Sequence, residues 1–104
     1  MHDFKDYDII SLTINGKVYK LWVADTFEKK KIGLSNVRKL PKNRGMIFIY
    51  DKPSNLAFTM RETSIPLKII FLNEMGGVID YHDCKPFQKN NIVSKSTYRY
   101  VIEI

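Results

Sequence analysis

The best-placed chemical groups of this sequence lie between two apolar runs, in the segment Met60-Arg61-Glu62-Thr63. The arginine offers a charged hydrogen-bond donor, the glutamate an acceptor and the threonine a hydroxyl group. We interpret these four residues as a candidate site for a small ligand or a protein partner. In the alternative interpretation they form a structural network, in which Glu62 pairs with Arg61 or Lys68.

Other reactive side chains are scattered and form no catalytic constellation. His82 and Asp83 are adjacent, so in a strand their side chains point to opposite faces and cannot act as a dyad. Cys84 is the single cysteine; it is either a thiol made reactive by Lys85 or a small apolar filler. An enzyme of unknown reaction would use Glu62 or His82 as its base. The sequence favours a protein that is not an enzyme.

Metal and cofactor sites are not indicated either. His2 lies in the N-terminal stretch, far from His82, and one cysteine leaves no thiol cluster for zinc or iron–sulfur binding. No glycine-rich phosphate loop, nucleophile elbow or metal-binding helix motif occurs. We therefore predict no metal and no cofactor.

Two strands are predicted to hold the candidate site, Leu56 to Met60 before it and Leu67 to Leu72 after it. Pro66 supports this arrangement, because proline cannot donate a ladder hydrogen bond and belongs at a strand's first position or edge. The nearly continuous apolar run Met46 to Tyr50 predicts a central strand. The polar segment Asp51 to Asn55 predicts a turn that leads from it back to the site.

A hairpin is predicted at Asn15-Gly16, because both residues tolerate the positive φ of a type I′ turn. A two-residue loop pairs Ile14 with Lys17, and the same register brings the apolar residues of the first strand opposite those of the second. The further pairs are Leu12 with Tyr19, Ile10 with Leu21, Ser11 with Lys20 and Thr13 with Val18.

A short surface helix is predicted from about Thr26 to Ile32. Asp25 and Glu28 have the spacing of a capping box with an aspartate cap, and Gly33 fits the C-terminal cap, where a left-handed conformation costs glycine little. The cap explains Asp25 without catalysis. We expect Lys29, Lys30 and Lys31 to lie largely in water.

The rest of the chain alternates as further strands, Val78 to Asp83 after a hairpin loop at Asn73 to Gly77, and Thr97 to Ile104. We predict a mainly β fold of about seven strands, an antiparallel sandwich or partly closed barrel, with one short surface helix. Seven residues are predicted to be mostly buried: Leu12, Leu21, Ile47, Ile49, Phe58, Ile70 and Val101.

The 104 residues suit one domain, predicted over residues 9–104 with an acidic extension at residues 1–8. The N-terminal stretch has no apolar region and no later run is long enough to span a membrane, so the sequence predicts a soluble, cytoplasmic protein without a membrane partner. The abundance of Ile, Lys and Asn suggests an AT-rich genome, such as that of a phage.

The net charge of +6 is concentrated in one basic segment, residues 28–44, and the remainder is balanced. This segment is either a solvated surface or a weak, non-specific contact for nucleic acid or an acidic protein. No aromatic residue lies between the charges to stack on a base. The basic residues are Lys29, Lys30, Lys31, Arg38, Lys39, Lys42 and Arg44.

The order and spacing of several short motifs resemble the domain-of-unknown-function family numbered 192, from about Leu12 to Ile104. The motifs are Ala24-Asp25-Thr26, Gly33-Leu34, Leu40-Pro41, Gly45-Met46-Ile47-Phe48, Phe58 to Leu67 and Tyr100-Val101-Ile102-Glu103. The resemblance implies a mainly β, jelly-roll-like fold with a short helix after the first hairpin, and it implies no activity.

Three polar positions depart from the pattern of that family. Val37 stands where the family has arginine, Glu62 where it has asparagine, and Lys68 where it has aspartate. A lost arginine and an aspartate replaced by lysine are consistent with a rewired ion pair. Met60, Thr63, Pro66 and Leu67 are retained, and Arg61 keeps the basic character of the family's lysine.

Overall fold

The computed structural model describes residues 4–104, which form six strands and one short helix. His2 lies outside these residues. The helix has six residues, and the described part of the chain contains no helix long and apolar enough to cross a bilayer. The elements are β1 (Ile9–Ile14), β2 (Lys17–Ala24), α1 (Phe27–Ile32), β3 (Arg44–Ser54), β4 (Leu67–Leu72), β5 (Val78–Cys84) and β6 (Tyr98–Glu103).

All six strands belong to one sheet, in the order β1-β2-β3-β6-β4-β5. β2 and β3 run parallel, and every other neighbouring pair is antiparallel. The mainly β prediction is confirmed. The sandwich or partly closed barrel of about seven strands is corrected to a single six-stranded sheet that is not closed. Apolar residues occupy both faces of this one sheet.

The first hairpin has the predicted register. Ile14 pairs with Lys17, and the pairing continues to Ile9 opposite Trp22. Asn15 and Gly16 have φ angles of 50° and 78°, as a type I′ turn requires. This hairpin is confirmed because turn chemistry and apolar alternation both act within a few residues.

The predicted strand from Leu56 to Met60 does not form. The backbone there makes one isolated bridge, in which Phe58 and Ile92 exchange two hydrogen bonds of 2.9 Å. The predicted turn at Asp51 to Asn55 is also corrected, because β3 continues to Ser54 through a register shift after Ile49. Residues 55–66 then cross one face of the sheet.

Two apolar clusters cover the two faces of the sheet. We call the face under α1 the helix face; its cluster includes Phe48 of β3, Phe71 of β4 and Val101 of β6. The opposite face has a smaller cluster around Leu21 and Ile102. No second sheet covers it in the described chain; residues 40–43 and Ile104 lie beside Tyr19 and Ile70 of this face.

The predicted core is confirmed in part. Leu21, Ile47, Ile70 and Val101 are buried, whereas Leu12, Ile49 and Phe58 are half-buried.

The chain before β1 also contributes to packing. The Phe4 ring stacks on Trp22 with centroids 4.0 Å apart, and Tyr7 is buried in the helix-face cluster. The amide of Val23 donates to the carbonyl of Asp8 at 2.9 Å. Residues 4–8 therefore pack against the sheet.

Helix α1 begins one residue later than predicted. Thr26, and not Asp25, is the N-cap, and its hydroxyl oxygen accepts from the amide of Lys29 at 3.2 Å. The cap must directly precede the first helical residue, which is Phe27. Gly33 closes the helix as predicted, with φ of 51° and its amide donating to the carbonyl of Lys29.

Gly45 of β3 allows the end of β6 to approach closely. A β-carbon at this position would collide with the backbone carbonyl oxygen of Glu103 and lie 2.6 Å from the side chain of Ile104. Since the first of these atoms belongs to the backbone of a neighbouring strand, it cannot rotate away. This position therefore requires glycine.

We expect Gly45→Ala to lower the free energy of unfolding by about 1–3 kcal/mol, the usual cost of overpacking. Chemical denaturation measures this change. Gly77→Ala is the control, because its added methyl group would mainly meet the side chain of Asn73 and should cost less. Equal stability of Gly45→Ala and the parent chain would contradict the close approach.

Candidate functional site

A pocket of about 600 Å³ lies on the helix face, between α1 and the segment that follows β3. Phe48 and Tyr50 of β3 and Glu103 of β6 form its floor. The helix and residues 56–63 form its walls. The lining consists of Phe27, Lys30, Lys31, Ile32, Gly33, Ser35, Phe48, Tyr50, Leu56, Ala57, Phe58, Thr59, Glu62, Thr63 and Glu103.

Glu103 reaches the floor from the middle of the sheet. Its strand, β6, lies between β3 and β4, and Glu103 pairs with Met46 on one side and Ile69 on the other. Both partners are fully buried in the helix-face cluster. Because Val101 two residues earlier also belongs to this cluster, strand alternation directs the carboxylate of Glu103 toward the same face.

The carboxylate of Glu103 has no partner in the described chain. The residue is 5% exposed, and no residue from 4 to 104 donates a hydrogen bond to its side chain or forms an ion pair with it. An uncompensated buried charge is costly, so the neutral form is favoured. Burial accordingly raises the pKa of Glu103 from 4.5 to about 8.

Thr63 brings a second unpaired polar group to the pocket. Its backbone is fixed, because its amide donates to the carbonyl of Met60 at 3.0 Å and its carbonyl accepts from the amide of Phe87 at 2.9 Å. The residue is buried, yet its hydroxyl makes no hydrogen bond within residues 4–104. The pocket thus contains an acid and an alcohol that are free to bind a ligand.

Two aromatic residues hold the wall of the pocket in place. The Tyr98 hydroxyl donates to the carbonyl of Leu56 at 2.7 Å and accepts from the Ser54 hydroxyl at 3.3 Å. The Phe58 ring meets Phe48 edge to face, with centroids 5.1 Å apart. These contacts explain why residues 56–60 cross the sheet as a wall instead of pairing as a strand.

Tyr50 forms a second polar position of the floor. Burial, together with the neighbouring Tyr98 hydroxyl and the carboxylate of Glu103, raises its pKa far above the ordinary value of 10.0. The phenol is therefore neutral at physiological pH. Its ring supports the ammonium group of Lys30, which lies 4.1 Å from the ring centroid.

The rim combines apolar and charged side chains. Phe27 and Leu56 are 80% and 64% exposed although both are large and apolar, and Lys31 and Glu62 are exposed beside them. The exposed apolar side chains of this rim can contact the apolar body of a ligand.

The predicted site residues separate in the structure. Glu62 and Thr63 line the pocket, whereas Met60 is fully buried in the helix-face cluster and Arg61 is exposed outside the lining. The pair proposed between Glu62 and Arg61 or Lys68 is not present among the ion pairs of the described residues. A ligand-binding role for the segment stays a prediction for Glu62 and Thr63.

His82 and Asp83 point to opposite faces, as strand alternation requires. Asp83 approaches Lys68 at 3.8 Å. His82 contacts the Phe71 ring edge to face, and its Nε2 lies 3.5 Å from Oδ2 of Asp80, two residues away on the same face. None of these side chains lines the pocket.

Cys84 is buried in the helix-face cluster. Burial raises the pKa of its thiol, and the charges of Glu103 and Asp83 act in the same direction. The hypothesis of a reactive thiol activated by Lys85 is therefore wrong, because desolvation and nearby acids disfavour the thiolate.

Three residues of the basic segment lie on aromatic rings. The ammonium groups of Lys29 and Lys30 lie over Tyr7 and Tyr50, and the guanidinium of Arg44 lies 4.2 Å from the Trp22 ring. Lys29 and Lys30 are half-buried, which corrects the expectation that they lie largely in water. The four exposed members are Lys31, Arg38, Lys39 and Lys42.

The departures from the family pattern also have structural settings. Val37 packs against the helix-face cluster, and its carbonyl accepts from the Ser64 hydroxyl at 3.4 Å. Lys68 pairs with Asp83 and lies 4.8 Å from the Tyr81 ring centroid. The lysine at position 68 thus has its own acidic partner on the neighbouring strand.

Glu103 was missed as a site residue, although the sequence carries a signal for it. Val101 is a predicted core residue, and Glu103 follows it by two positions in the same strand. Alternation therefore directs an acid toward the core, and a buried acid without a nearby basic partner indicates a functional site.

Within residues 4–104 no group of three or more His, Cys, Asp or Glu side chains is arranged to hold a metal.

The proton on Glu103 makes the stability of the chain depend on pH. Between pH 4.5 and about 8 the folded chain keeps this proton while the unfolded chain loses it, so the free energy of unfolding falls as pH rises. Glu103→Gln should match the parent chain at the acidic end of this range. It should be more stable by a few kcal/mol at the basic end.

Urea denaturation across this pH range measures the difference. Glu62→Gln is the control, because it removes a carboxylate that water covers at the rim of the same pocket, and its stability should follow that of the parent chain. A constant difference between Glu103→Gln and the parent at all pH values would contradict the buried proton.

Comparison with known proteins gives two similar crystal structures. One is a protein of unknown function from Novosphingobium aromaticivorans DSM 12444, with 26% identity and a TM-score of 0.80, covering 94% of this chain and 72% of that chain. The other, from Sinorhizobium meliloti 1021, is described as "a putative transcription regulator"; it has 24% identity and a TM-score of 0.77, covering 94% of this chain and 78% of that chain.

A search of curated proteins gives no match. The model of the DUF192 family, described as uncharacterized ACR, COG1430, matches residues 10–104. This match spans most of the sequence and confirms the resemblance found in the motifs. The chain belongs to the DUF192 family.

Proposed function

We propose that this protein is a small-molecule-binding module and that the pocket beside α1 is its binding site. The observation that carries the proposal is the carboxylate of Glu103, which is buried at the pocket floor without a partner among residues 4–104. Such a group lowers the stability of the free protein. A ligand that supplies the missing hydrogen bonds offsets this cost.

The shape of the pocket supports a small ligand. Its volume of about 600 Å³ lies within the range of about 300–1,000 Å³ that is usual for small-molecule sites. The lining is mostly apolar, and its buried unpaired polar groups, those of Glu103 and Thr63, are few. This combination gives affinity through the apolar walls and orientation through the acid and the hydroxyl.

The other functions considered have less support. An enzyme that uses His82 would act outside the pocket. Glu62 lines the pocket, but within residues 4–104 its carboxylate makes no hydrogen bond to a nucleophile. Lys29, Lys30 and Arg44 lie over aromatic rings. Binding of nucleic acid or an acidic protein by the basic segment would therefore rest mainly on its four exposed members. Both functions stay predictions of lower rank.

A fragment screen tests the binding function. Neutral, acidic and basic fragments are first screened by thermal denaturation, because a ligand specific for the folded state raises the melting temperature. The hits are then titrated into ¹⁵N-labelled protein. We expect the shifted amide signals to include those of Phe48, Thr63 and Glu103, which surround the pocket.

Two matched variants locate the site. Leu56→Asp changes a leucine at the rim that is 64% exposed, and Met75→Asp changes an apolar residue in the β4–β5 loop that is 88% exposed. Leu56→Asp should lower the affinity for the hits roughly tenfold, because it replaces an apolar contact with a hydrated charge. Met75→Asp should leave their affinity unchanged. Failure of the whole library to bind, or hits confined to another surface, would contradict the proposal.

A further inference from the structure

Glu103 also limits the chemical class of the ligand. The described chain provides no hydrogen-bond donor for its carboxylate. A ligand must therefore either donate hydrogen bonds to the ionised acid or accept a hydrogen bond from the neutral acid. A primary ammonium group supplies both three donors and the opposite charge. Hydrogen bonds between charged groups are stronger than those of a neutral acid.

The aromatic walls favour a cation. Phe48, Tyr50 and Phe58 all line the pocket that contains the acid, and aromatic faces attract ammonium groups, more strongly where water is excluded. The chain itself already places one ammonium group there, that of Lys30 over the Tyr50 ring. The pocket therefore provides a setting in which an amine is stable.

We propose that the pocket is selective for a small primary amine with an apolar body, whose ammonium group sits against the carboxylate of Glu103 between the aromatic side chains. This inference rests on the proposed binding function and adds the class of ligand. The apolar body would lie along Phe58 and the rim at Phe27 and Leu56. The Thr63 hydroxyl is a second buried group that the amine can use as an acceptor.

An acidic ligand is the main rival, because Lys30 and Lys31 lie at the pocket. Both lysines are at least partly exposed, so water and salt screen their attraction for an anion. Glu103 is the most deeply buried charged group of the lining. A carboxylate ligand at the floor would have to share the proton of Glu103, so its affinity would fall as pH rises through about 8.

Amine binding has a proton linkage opposite in sign to that of the rival. Glu103 must release its proton to water to pair with the ammonium group, so affinity should rise roughly tenfold per pH unit up to about pH 8. The amine stays charged over this range, because its own pKa is near that of lysine, about 10. The titratable groups around Glu103 are Tyr50 on β3, Cys84 on β5, Lys30 and Lys31 on α1, and Glu62 in the wall.

The test uses three probes with the same aromatic body, namely 2-phenylethylamine, 2-phenylethanol and 3-phenylpropanoate. Each is titrated by NMR at pH 6, 7 and 8 into the parent chain, Glu103→Gln and Lys30→Gln. We expect the amine to bind the parent most tightly and to gain affinity with pH. Glu103→Gln should lower the affinity for the amine by about tenfold or more at pH 8. Lys30→Gln should raise that affinity severalfold, because it removes a neighbouring positive charge.

The opposite pattern would overturn the ligand class and leave the binding function intact. Tighter binding of 3-phenylpropanoate with loss in Lys30→Gln would identify an acid site, and equal binding of the alcohol and the amine would identify a site without charge selection. If these probes and the whole fragment library fail to move the pocket signals, both the amine class and the proposed function are wrong. Glu103→Gln is expected to be at least as stable as the parent. Loss of binding in that variant would therefore reflect the lost contact between the carboxylate and the ammonium group, and not unfolding.

Discussion

The burial of Glu103 without a counter-charge is the constraint on which this structure depends. The carboxylate lies on β6, which is paired on both sides, so its backbone cannot move the acid toward water. The flanking residues Met46 and Ile69 are apolar and fully buried. The free protein therefore keeps the acid neutral by raising its pKa to about 8. Proteins tolerate such a loss of stability mainly at functional sites.

The elements around Glu103 keep the acid covered while leaving a pocket above it. Gly45 allows β3 to approach the end of β6, and the Tyr98 hydroxyl holds the wall at Leu56. The Phe58 ring packs edge to face on Phe48 of the floor. Because these contacts join residues that are far apart in sequence, the pocket exists only in the complete fold.

The sequence predicts those parts of the structure that local rules control. Asn15-Gly16 sets the hairpin register, since turn chemistry and apolar alternation act together there. The strand from Leu56 to Met60 could not be excluded locally, because the residue that bridges to it in the described chain, Ile92, lies in a distant loop. Thr63 was predicted at a candidate site and lines the pocket. Glu103 was not predicted there, because alternation gives the face of a side chain and not what covers it.

The ionisation of Glu103 tests this account most directly. Protein labelled with ¹³C at glutamate carboxyl carbons can be titrated by NMR, with the Glu103 signal assigned by its loss in Glu103→Gln. A midpoint of about 8 is predicted for the free protein. A midpoint near the ordinary value of 4.5 would show that the carboxylate is hydrated or paired, and would contradict the buried, unpartnered acid at the floor of the pocket.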